Sequence, residues 1–154
     1  MASVTVTHVP GTTYQTRIET PDLALIADES EADGGDGLGP SPYELLLAGL
    51  GHCTVLTILL YARRKGWTVA AVAARITHER LIVEGDGETQ PARRKIERIT
   101  QEIGLDGELN AEQRARLLEI AGRCPVHRTM TGELEIVDVE VPLTRLEGAR
   151  AESR

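Results

Sequence analysis

The sequence predicts a mixed fold of strands and helices, and three stretches of the chain carry this prediction. Residues 3–27 alternate polar and apolar side chains around a Pro10-Gly11 turn, which is typical of two or three short strands. Residues 42–65 have an uncharged middle and begin with the signals of a helix. Thr68 to Glu84 alternates again and ends at a Gly85-Asp86-Gly87 turn signal. Helices and strands therefore share one chain.

Composition limits the class of protein. A chain of 154 residues is long enough for one domain with its own core, which we place at residues 1–146, with 147–154 as a frayed tail. The net charge of −7 argues against a nucleic-acid partner, because phosphate binding needs a basic face. The N-terminal residues have neither the basic start nor the apolar run of a signal peptide. We therefore expect a cytoplasmic protein with reduced thiols.

The long helix has clear ends. Ser41 is the expected N-cap, Pro42 the first helical residue and Glu44 the third, and Gly66 follows the last residue, Lys65. The helix is about 36 Å long at about 1.5 Å per residue. Its middle is apolar nearly all round, so we expect burial on most sides. A small monomer cannot surround such a helix, which favours a homodimer with this helix near its centre.

A membrane span is the alternative for the same stretch, because Leu45 to Ala62 contains no charge. Two glycines, a histidine and two threonines make it a poor span, and the flanking sequence is typical of a globular protein. We therefore expect no membrane partner.

The remaining elements are read from shorter patterns. Asp28 to Gly39 is acidic and glycine-rich, as expected of a surface loop. Arg93 to Leu105 fits both a helix and a strand, and strand is our preferred interpretation. Asn110, with Gln113 three residues later, begins a second helix. Glu133 to Val141 is predicted to be a last strand. Its apolar residues move from the even-numbered to the odd-numbered positions between Ile136 and Val137, which indicates a bulge or burial on both faces.

The only two cysteines, Cys53 and Cys124, are the candidates for chemistry. Cys53 lies inside the long helix, whereas Cys124 lies at the end of the second helix, because the following Pro125 disfavours helix there. A buried thiol ionises only when a cation lies nearby. The candidate cations are Arg17, Arg123 and Arg128. The alternative is that Cys53 is a small apolar core residue, as most buried cysteines are.

Three further residues allow two interpretations. Gly49 and Gly51 each cost the helix about 1 kcal/mol relative to alanine, so either another helix or a substrate approaches closely there. Glu44 is either a capping residue or a carboxylate that orients an arginine near the thiol. Nine positions at about 100° each put it on the opposite face of the helix from Cys53.

A zinc site is the remaining alternative for the two cysteines. His52, Cys53, Cys124 and His127 supply four possible ligands, and C-x-x-H is ligand spacing. Neighbouring residues on a helix point about 100° apart, however, so His52 and Cys53 can hardly bind one ion. We expect no metal.

Two motifs in which these cysteines lie resemble the OsmC/Ohr family of osmotically inducible and organic-hydroperoxide-resistance proteins. They are GPSPYELLLAGLGHCT, residues 39–54, and LLEIAGRCPVHRT, residues 117–129. The first is more similar to the OsmC-like branch than to the Ohr branch. The resemblance implies an α+β fold of three strands, a long helix, two strands, two helices and a final strand. It also implies an intertwined homodimer around the long helices, and a strand at Arg93 to Leu105.

The resemblance further implies a thiol peroxidase without metal or organic cofactor. Cys53 matches the peroxidatic cysteine and Cys124 the resolving one, and the family's reductant is an external dithiol such as a dihydrolipoyl protein. In the Ohr branch an arginine and a glutamate organise the thiolate. Arg17 is the only arginine before the long helix, whereas Tyr43 occupies the glutamate position and Glu44 follows it. The sequence thus predicts a peroxidase for organic hydroperoxides. The alternative is a dimer that binds a small apolar ligand.

Overall fold

The computed structural model describes residues 2–84 and 93–147, and the described chain falls into two compact units. The first comprises Met1–Leu45 and Glu135–Arg154, and the second comprises Leu46–Leu134. The predicted Gly85-Asp86-Gly87 turn lies outside the described residues. Of the predicted frayed tail, 147–154, Glu147 is the last residue of a short helix, and residues 148–154 lie outside the described residues. A single domain over residues 1–146 stays a prediction.

The first unit contains the three predicted N-terminal strands. They are β1 (Thr5–His8), β2 (Thr16–Glu19) and β3 (Ala24–Ala27), arranged as an antiparallel sheet in the order β1-β2-β3. Val6 pairs with Ile18, and Ile18 with Leu25. Val6 is nevertheless exposed, because Thr5 and Thr7 point to the more buried side of the sheet and Val6 points to the other side.

The loop after β3 differs from the predicted surface loop at its first residue. Asp28 is 3% exposed, and its carboxylate accepts hydrogen bonds from the backbone N–H groups of Glu29, Asp36 and Leu38 at 2.8, 3.1 and 3.3 Å. A buried carboxylate needs such partners. A single buried aspartate therefore folds the loop onto itself, while most of its other residues are exposed.

Helix α1 (Pro42–Lys65) has the predicted ends. Only one side of it is buried within the chain, at Leu50, Gly51, Thr54, Ile58 and Ala62. The described chain thus covers one face of α1, and burial of the other sides by a second copy stays a prediction. By length and mean hydropathy (1.9) α1 could cross a membrane, a test that core helices of soluble proteins also pass. The expectation of no membrane partner stays a prediction.

The second unit pairs two long strands, β4 (Ala71–Glu84) and β5 (Arg93–Asp106), as an antiparallel hairpin. The interpretation of Arg93 to Leu105 as a strand is confirmed. Along most of both strands every second residue is half-buried, so one face of the hairpin is covered and the other faces solvent. Ile76 of β4 stands opposite Gln101 of β5 in this register.

Two helices follow the hairpin, α2 (Ala111–Ala121) and α3 (Pro125–Thr131). Asn110 and Gln113 form the predicted capping box at the start of α2. The core of this unit joins α1 to α2 through Ile58, Ala62, Leu117 and Ala121, with Trp67, Val72, Ile103 and Leu105 among the half-buried residues around it.

The predicted last strand, Glu133 to Val141, is wrong for the single chain. Residues 133–142 join no ladder, and a short helix, α4 (Leu143–Glu147), follows them. A strand needs a hydrogen-bonded neighbour, and none of the described residues supplies one. The segment's apolar side chains remain exposed by 60 to 79%, at Leu134, Ile136, Val137 and Val139.

Candidate active site

Cys53 lies in the middle of α1, on the side of the helix that the chain leaves uncovered. Residues spaced three or four positions apart lie on one face of a helix. On the face of Cys53 these are Leu46, Gly49, Leu56 and Leu60, a stripe along the helix. The leucines of this stripe are 44 to 57% exposed, and Cys53 is a half-buried free thiol. We call these five residues the α1 stripe. Cys53 is thus an accessible thiol within an apolar surface.

Cys124 reaches the residue next to Cys53. Its Sγ lies 3.7 Å from Oγ1 of Thr54, which follows Cys53 on α1 and is 0% exposed. The same hydroxyl donates to Oε1 of Gln101 on β5 at 2.8 Å. The hairpin, α1 and Cys124 therefore meet at Thr54. Two positions 70 residues apart in sequence are brought into contact by this packing.

Cys124 also begins a helix, which refines its predicted place at a helix end. It lies after α2 and is the N-cap of α3, with Pro125 as the first helical residue. Its Sγ accepts a hydrogen bond from the backbone N–H of His127 at 3.2 Å. Cys124 is a free thiol and is 0% exposed. Its sulfur therefore has two polar contacts, whereas solvent does not reach it.

His127 contributes a second feature close to this sulfur. Its Nδ1 atom is buried and has no hydrogen-bond partner among the described residues. Buried polar atoms without a partner are rare in folded proteins. His127, whose backbone N–H donates to the Cys124 sulfur, therefore also carries a buried side-chain nitrogen without a partner in the described chain.

Arg17 lies on β2 in the first unit. Its Nε donates to Oε1 of Glu19 at 3.1 Å, and its side chain is 48% exposed. The other candidate cations belong to the second unit, where Arg123 is paired with Glu119 and Arg128 is exposed on α3. The role of Arg17 beside Cys53 stays a prediction.

Glu44 performs the capping function that one of its two interpretations predicted. Its Oε2 accepts from the backbone N–H of Ser41 at 2.8 Å, and its own N–H donates to Ser41 Oγ at 3.4 Å. The bond from the Ser41 backbone holds the pKa of Glu44 below its ordinary value of 4.5. A cavity of about 490 Å³ opens beside it, lined in part by Glu29, Asp33 and Tyr43. A role of Glu44 toward the thiol stays a prediction.

The zinc alternative gains no support from the second unit. His52 is exposed on α1. In residues 2–84 and 93–147, no three side chains of histidine, cysteine, aspartate or glutamate come together in a way that could hold a metal ion.

Sequence reasoning missed Thr54 and Gln101. Gln101 stands on the half-buried parity of β5 between Ile99 and Ile103, and a polar residue at such a position is a signal that could have been read. Thr54 directly follows Cys53 within the first motif and carries the same kind of signal, a hydroxyl in an uncharged helix. Their contact with each other could not be read, because it depends on how the hairpin packs on α1.

Comparisons with solved structures show proteins of similar fold. The OsmC-like protein from Mycoplasma pneumoniae is similar in structure, with 19% identity, a TM-score of 0.67, and 86% of this chain and 88% of that chain covered. The organic hydroperoxide resistance protein OsmC from Legionella pneumophila is 21% identical, with a TM-score of 0.57 and coverage of 86% and 91%. An organic hydroperoxide resistance protein from Elizabethkingia anophelis is 16% identical, with a TM-score of 0.59 and coverage of 88% and 92%.

At these identities the solved structures show the fold, and the predicted α+β class is confirmed by them. No curated protein matches the chain. The sequence model of the OsmC-like protein family matches residues 34–137, which is more than half of the chain and includes both cysteines. The chain belongs to the OsmC-like protein family, whose structural relatives include organic hydroperoxide resistance proteins.

Proposed function

We propose that this protein reduces organic hydroperoxides, with Cys53 as the peroxidatic and Cys124 as the resolving cysteine. The observation that carries the proposal is the contact between Cys124 Sγ and the hydroxyl of Thr54, the neighbour of Cys53. The chain has two cysteines, and its packing brings one to the residue adjoining the other. The reaction requires the resolving thiol to reach the oxidised one. The position of Cys124 beside the neighbour of Cys53 supports this role.

The first step is attack of the Cys53 thiolate on the peroxide. A sulfur–oxygen bond forms, the oxygen–oxygen bond breaks, and the alcohol leaves after taking up a proton; Cys53 becomes a sulfenic acid. Leu46, Leu56 and Leu60 surround Cys53 on the α1 stripe. An apolar surface of this kind favours a hydroperoxide with an organic group over hydrogen peroxide.

The second step joins the two cysteines. The Cys124 thiol attacks the sulfenic sulfur of Cys53, a disulfide forms and water leaves. An external dithiol then reduces the disulfide by exchange and ends as a disulfide itself. Cys124 is followed by Pro125 and the short helix α3. We expect the Cys124 segment to move toward Cys53, which is fixed in the middle of the longer helix α1.

The same site is proposed to work in a homodimer. The α1 stripe is apolar and uncovered, and residues 133–140 expose further apolar side chains. Monomeric proteins rarely expose contiguous apolar patches of this kind. If a second copy of the chain packed its own α1 stripe against this one, the two stripes would cover each other. The substrate would then bind between two copies.

One experiment tests the proposed reaction. Free thiols are counted before and after one equivalent of cumene hydroperoxide, on wild type, Cys53→Ser and Cys124→Ser. We expect wild type to lose two thiols, Cys53→Ser to lose none, and Cys124→Ser to form a sulfenic acid that dimedone traps. Wild-type protein whose Cys53 is converted to sulfinic acid while Cys124 remains free would contradict the proposal.

The alternative function is binding of a small apolar ligand, and Tyr43 at the family's glutamate position favours it. The Cys53→Ser variant separates the two functions. A peroxidase loses all turnover in this variant, whereas a binding protein keeps its affinity for the ligand.

A further inference from the structure

Thr54 is the middle member of a hydrogen-bond chain that runs from β5 to the sulfur of Cys124. Its hydroxyl lies 2.8 Å from Oε1 of Gln101 and 3.7 Å from Cys124 Sγ. A threonine hydroxyl carries one proton, so it donates to only one of the two at a time. The glutamine amide both donates and accepts, and the chain of hydrogen bonds can therefore run in either direction.

The direction depends on the charge of the sulfur. As a thiol, Cys124 is able to donate to Thr54 Oγ1 while the Thr54 hydroxyl donates to Oε1 of Gln101. As a thiolate, Cys124 can only accept; the Thr54 proton then turns toward the sulfur, and the Gln101 amide turns so that Nε2 donates to Thr54. The backbone N–H of His127 donates to the same sulfur at 3.2 Å. A thiolate that solvent does not reach then has two donors.

We infer that Thr54 and Gln101 stabilise Cys124 as the leaving thiolate when an external dithiol opens the Cys53–Cys124 disulfide. The inference rests on the proposed function, and it concerns the reducing half of that cycle. Cys53 is the more accessible of the two cysteines, since Cys124 is 0% exposed. The dithiol therefore attacks the sulfur of Cys53, which it reaches between the two copies of the proposed dimer, as the hydroperoxide does.

A thiolate of the dithiol forms a new bond to the Cys53 sulfur, the bond from Cys53 to Cys124 breaks, and Cys124 takes the electron pair. The second thiol of the dithiol then displaces Cys53 and completes the dithiol's own disulfide. The two protons of the dithiol end on Cys53 and Cys124 or in solvent.

Hydrogen bonds to the departing sulfur speed its departure, because a better-stabilised thiolate leaves faster. Thr54 contacts the reacting sulfur directly. Gln101 acts through Thr54 and is a positioning residue. A hydrogen bond to a charged group contributes more than one between neutral groups. Because the Thr54 hydroxyl lies 3.7 Å from the sulfur, we expect a contribution at the lower end of that range, which changes the rate about tenfold.

The test uses a disulfide made with diamide, so that no peroxide is involved, and follows its reduction by dithiothreitol at pH 7 in a rapid-quench experiment. Thr54→Val should slow reduction about tenfold, and Thr54→Ser should restore the wild-type rate. Gln101→Glu should also slow it, because a carboxylate only accepts and keeps the Thr54 proton for itself. Thermal melting checks that each variant is folded.

Thr57→Val is the matched control. Thr57 lies one turn further along α1, and its hydroxyl donates to the backbone carbonyl of Cys53 at 2.7 Å, so its loss should leave the rate of reduction unchanged. Equal rates in Thr54→Val and wild type, equal slowing in both valine variants, or a wild-type rate in Gln101→Glu would overturn the inference. Failure of diamide to join Cys53 to Cys124 would overturn it too.

The outcomes separate this inference from the proposed function. If cumene hydroperoxide leaves Cys53 reduced, while the disulfide made with diamide still opens more slowly in Thr54→Val, the peroxidase proposal fails and the inference stands.

Discussion

A Cβ atom on Gly51 would lie 3.1 Å from Cγ1 of Ile76, so the backbone of α1 packs closely on β4 at this point. Gly49, two residues earlier, differs. If a Cβ were added there, no neighbouring heavy atom of the described chain would lie within 4 Å of it. The sequence singled out the two glycines together. Packing against β4 explains Gly51, and no contact among the described residues explains Gly49.

Gly49→Ala should weaken the proposed dimer. The α1 stripe contains Gly49, and an added methyl group overpacks an interface there by about 1 to 3 kcal/mol. We expect the dimer dissociation constant to rise about tenfold, measured by analytical ultracentrifugation. Gly51→Ala is the control, because it brings the same gain in helix propensity on the buried face of α1. Since its Cβ would lie 3.1 Å from Ile76, thermal melting first shows that each variant is folded. A dimer equally tight in Gly49→Ala and wild type would exclude α1 packing at this point.

If Arg17 is the arginine that the family resemblance implies beside Cys53, Arg17→Ala should slow the alkylation of Cys53 by iodoacetamide at pH 7 several-fold. A cation close to a thiol favours the charged, reactive form. The control is Arg75→Ala, because Arg75 is an exposed arginine on β4 whose partner is Glu102 at 3.6 Å. Both variants are measured in the Cys124→Ser background, so that only one thiol reacts. An unchanged rate in Arg17→Ala would transfer the role to Arg123 or Arg128.

The helix boundaries could be predicted from the sequence because the side chains that set them are local. Ser41, Pro42 and Glu44 lie within four positions, and their hydrogen bonds form as the pattern predicts. Burial was harder to predict. The uncharged sequence of α1 favours an apolar environment but does not say whether the same chain or a second copy supplies it.

The contacts around the candidate site could be predicted only in part. The two motifs identified Cys53 and Cys124, since each has a recognisable sequence around it. The contact from Thr54 to Gln101 joins residues 47 positions apart and depends on the register in which Gln101 faces Ile76. The last strand failed for a similar reason, because Glu133 to Val141 has an extended pattern and no described neighbour with which to pair.

Glu44→Gln should lower the melting temperature at neutral pH and have no effect in acid. The folded-state pKa of Glu44 lies below 4.5 because the Ser41 backbone N–H donates to its carboxylate. The charge therefore contributes its full stabilisation above pH 4.5, and that contribution is lost as the pH falls through the lower folded-state value. Melting curves from pH 7 to pH 3 measure the difference.

The control for Glu44 is Glu112→Gln, which removes an exposed carboxylate from the first turn of α2, where Gln113 and not Glu112 completes the capping box. Its effect on the melting temperature should be smaller. A difference between Glu44→Gln and wild type that persists unchanged at pH 3 would mean that the carboxylate charge is not what stabilises the start of α1.

Leu117→Ala should destabilise the second unit far more than Leu118→Ala, although the two leucines are neighbours in α2. Leu117 is 0% exposed and packs with Ile58 and Ala62 of α1, whereas Leu118 is 47% exposed. Removing a fully buried leucine loses its burial and leaves a cavity, at a cost of about 2 to 5 kcal/mol. Replacing an exposed leucine costs about 1 kcal/mol or less.

Urea unfolding at one fixed protein concentration compares the free energies of unfolding of the two variants, because a dimer's stability depends on concentration. Equal losses in the two variants would mean that α2 presents a different face to α1.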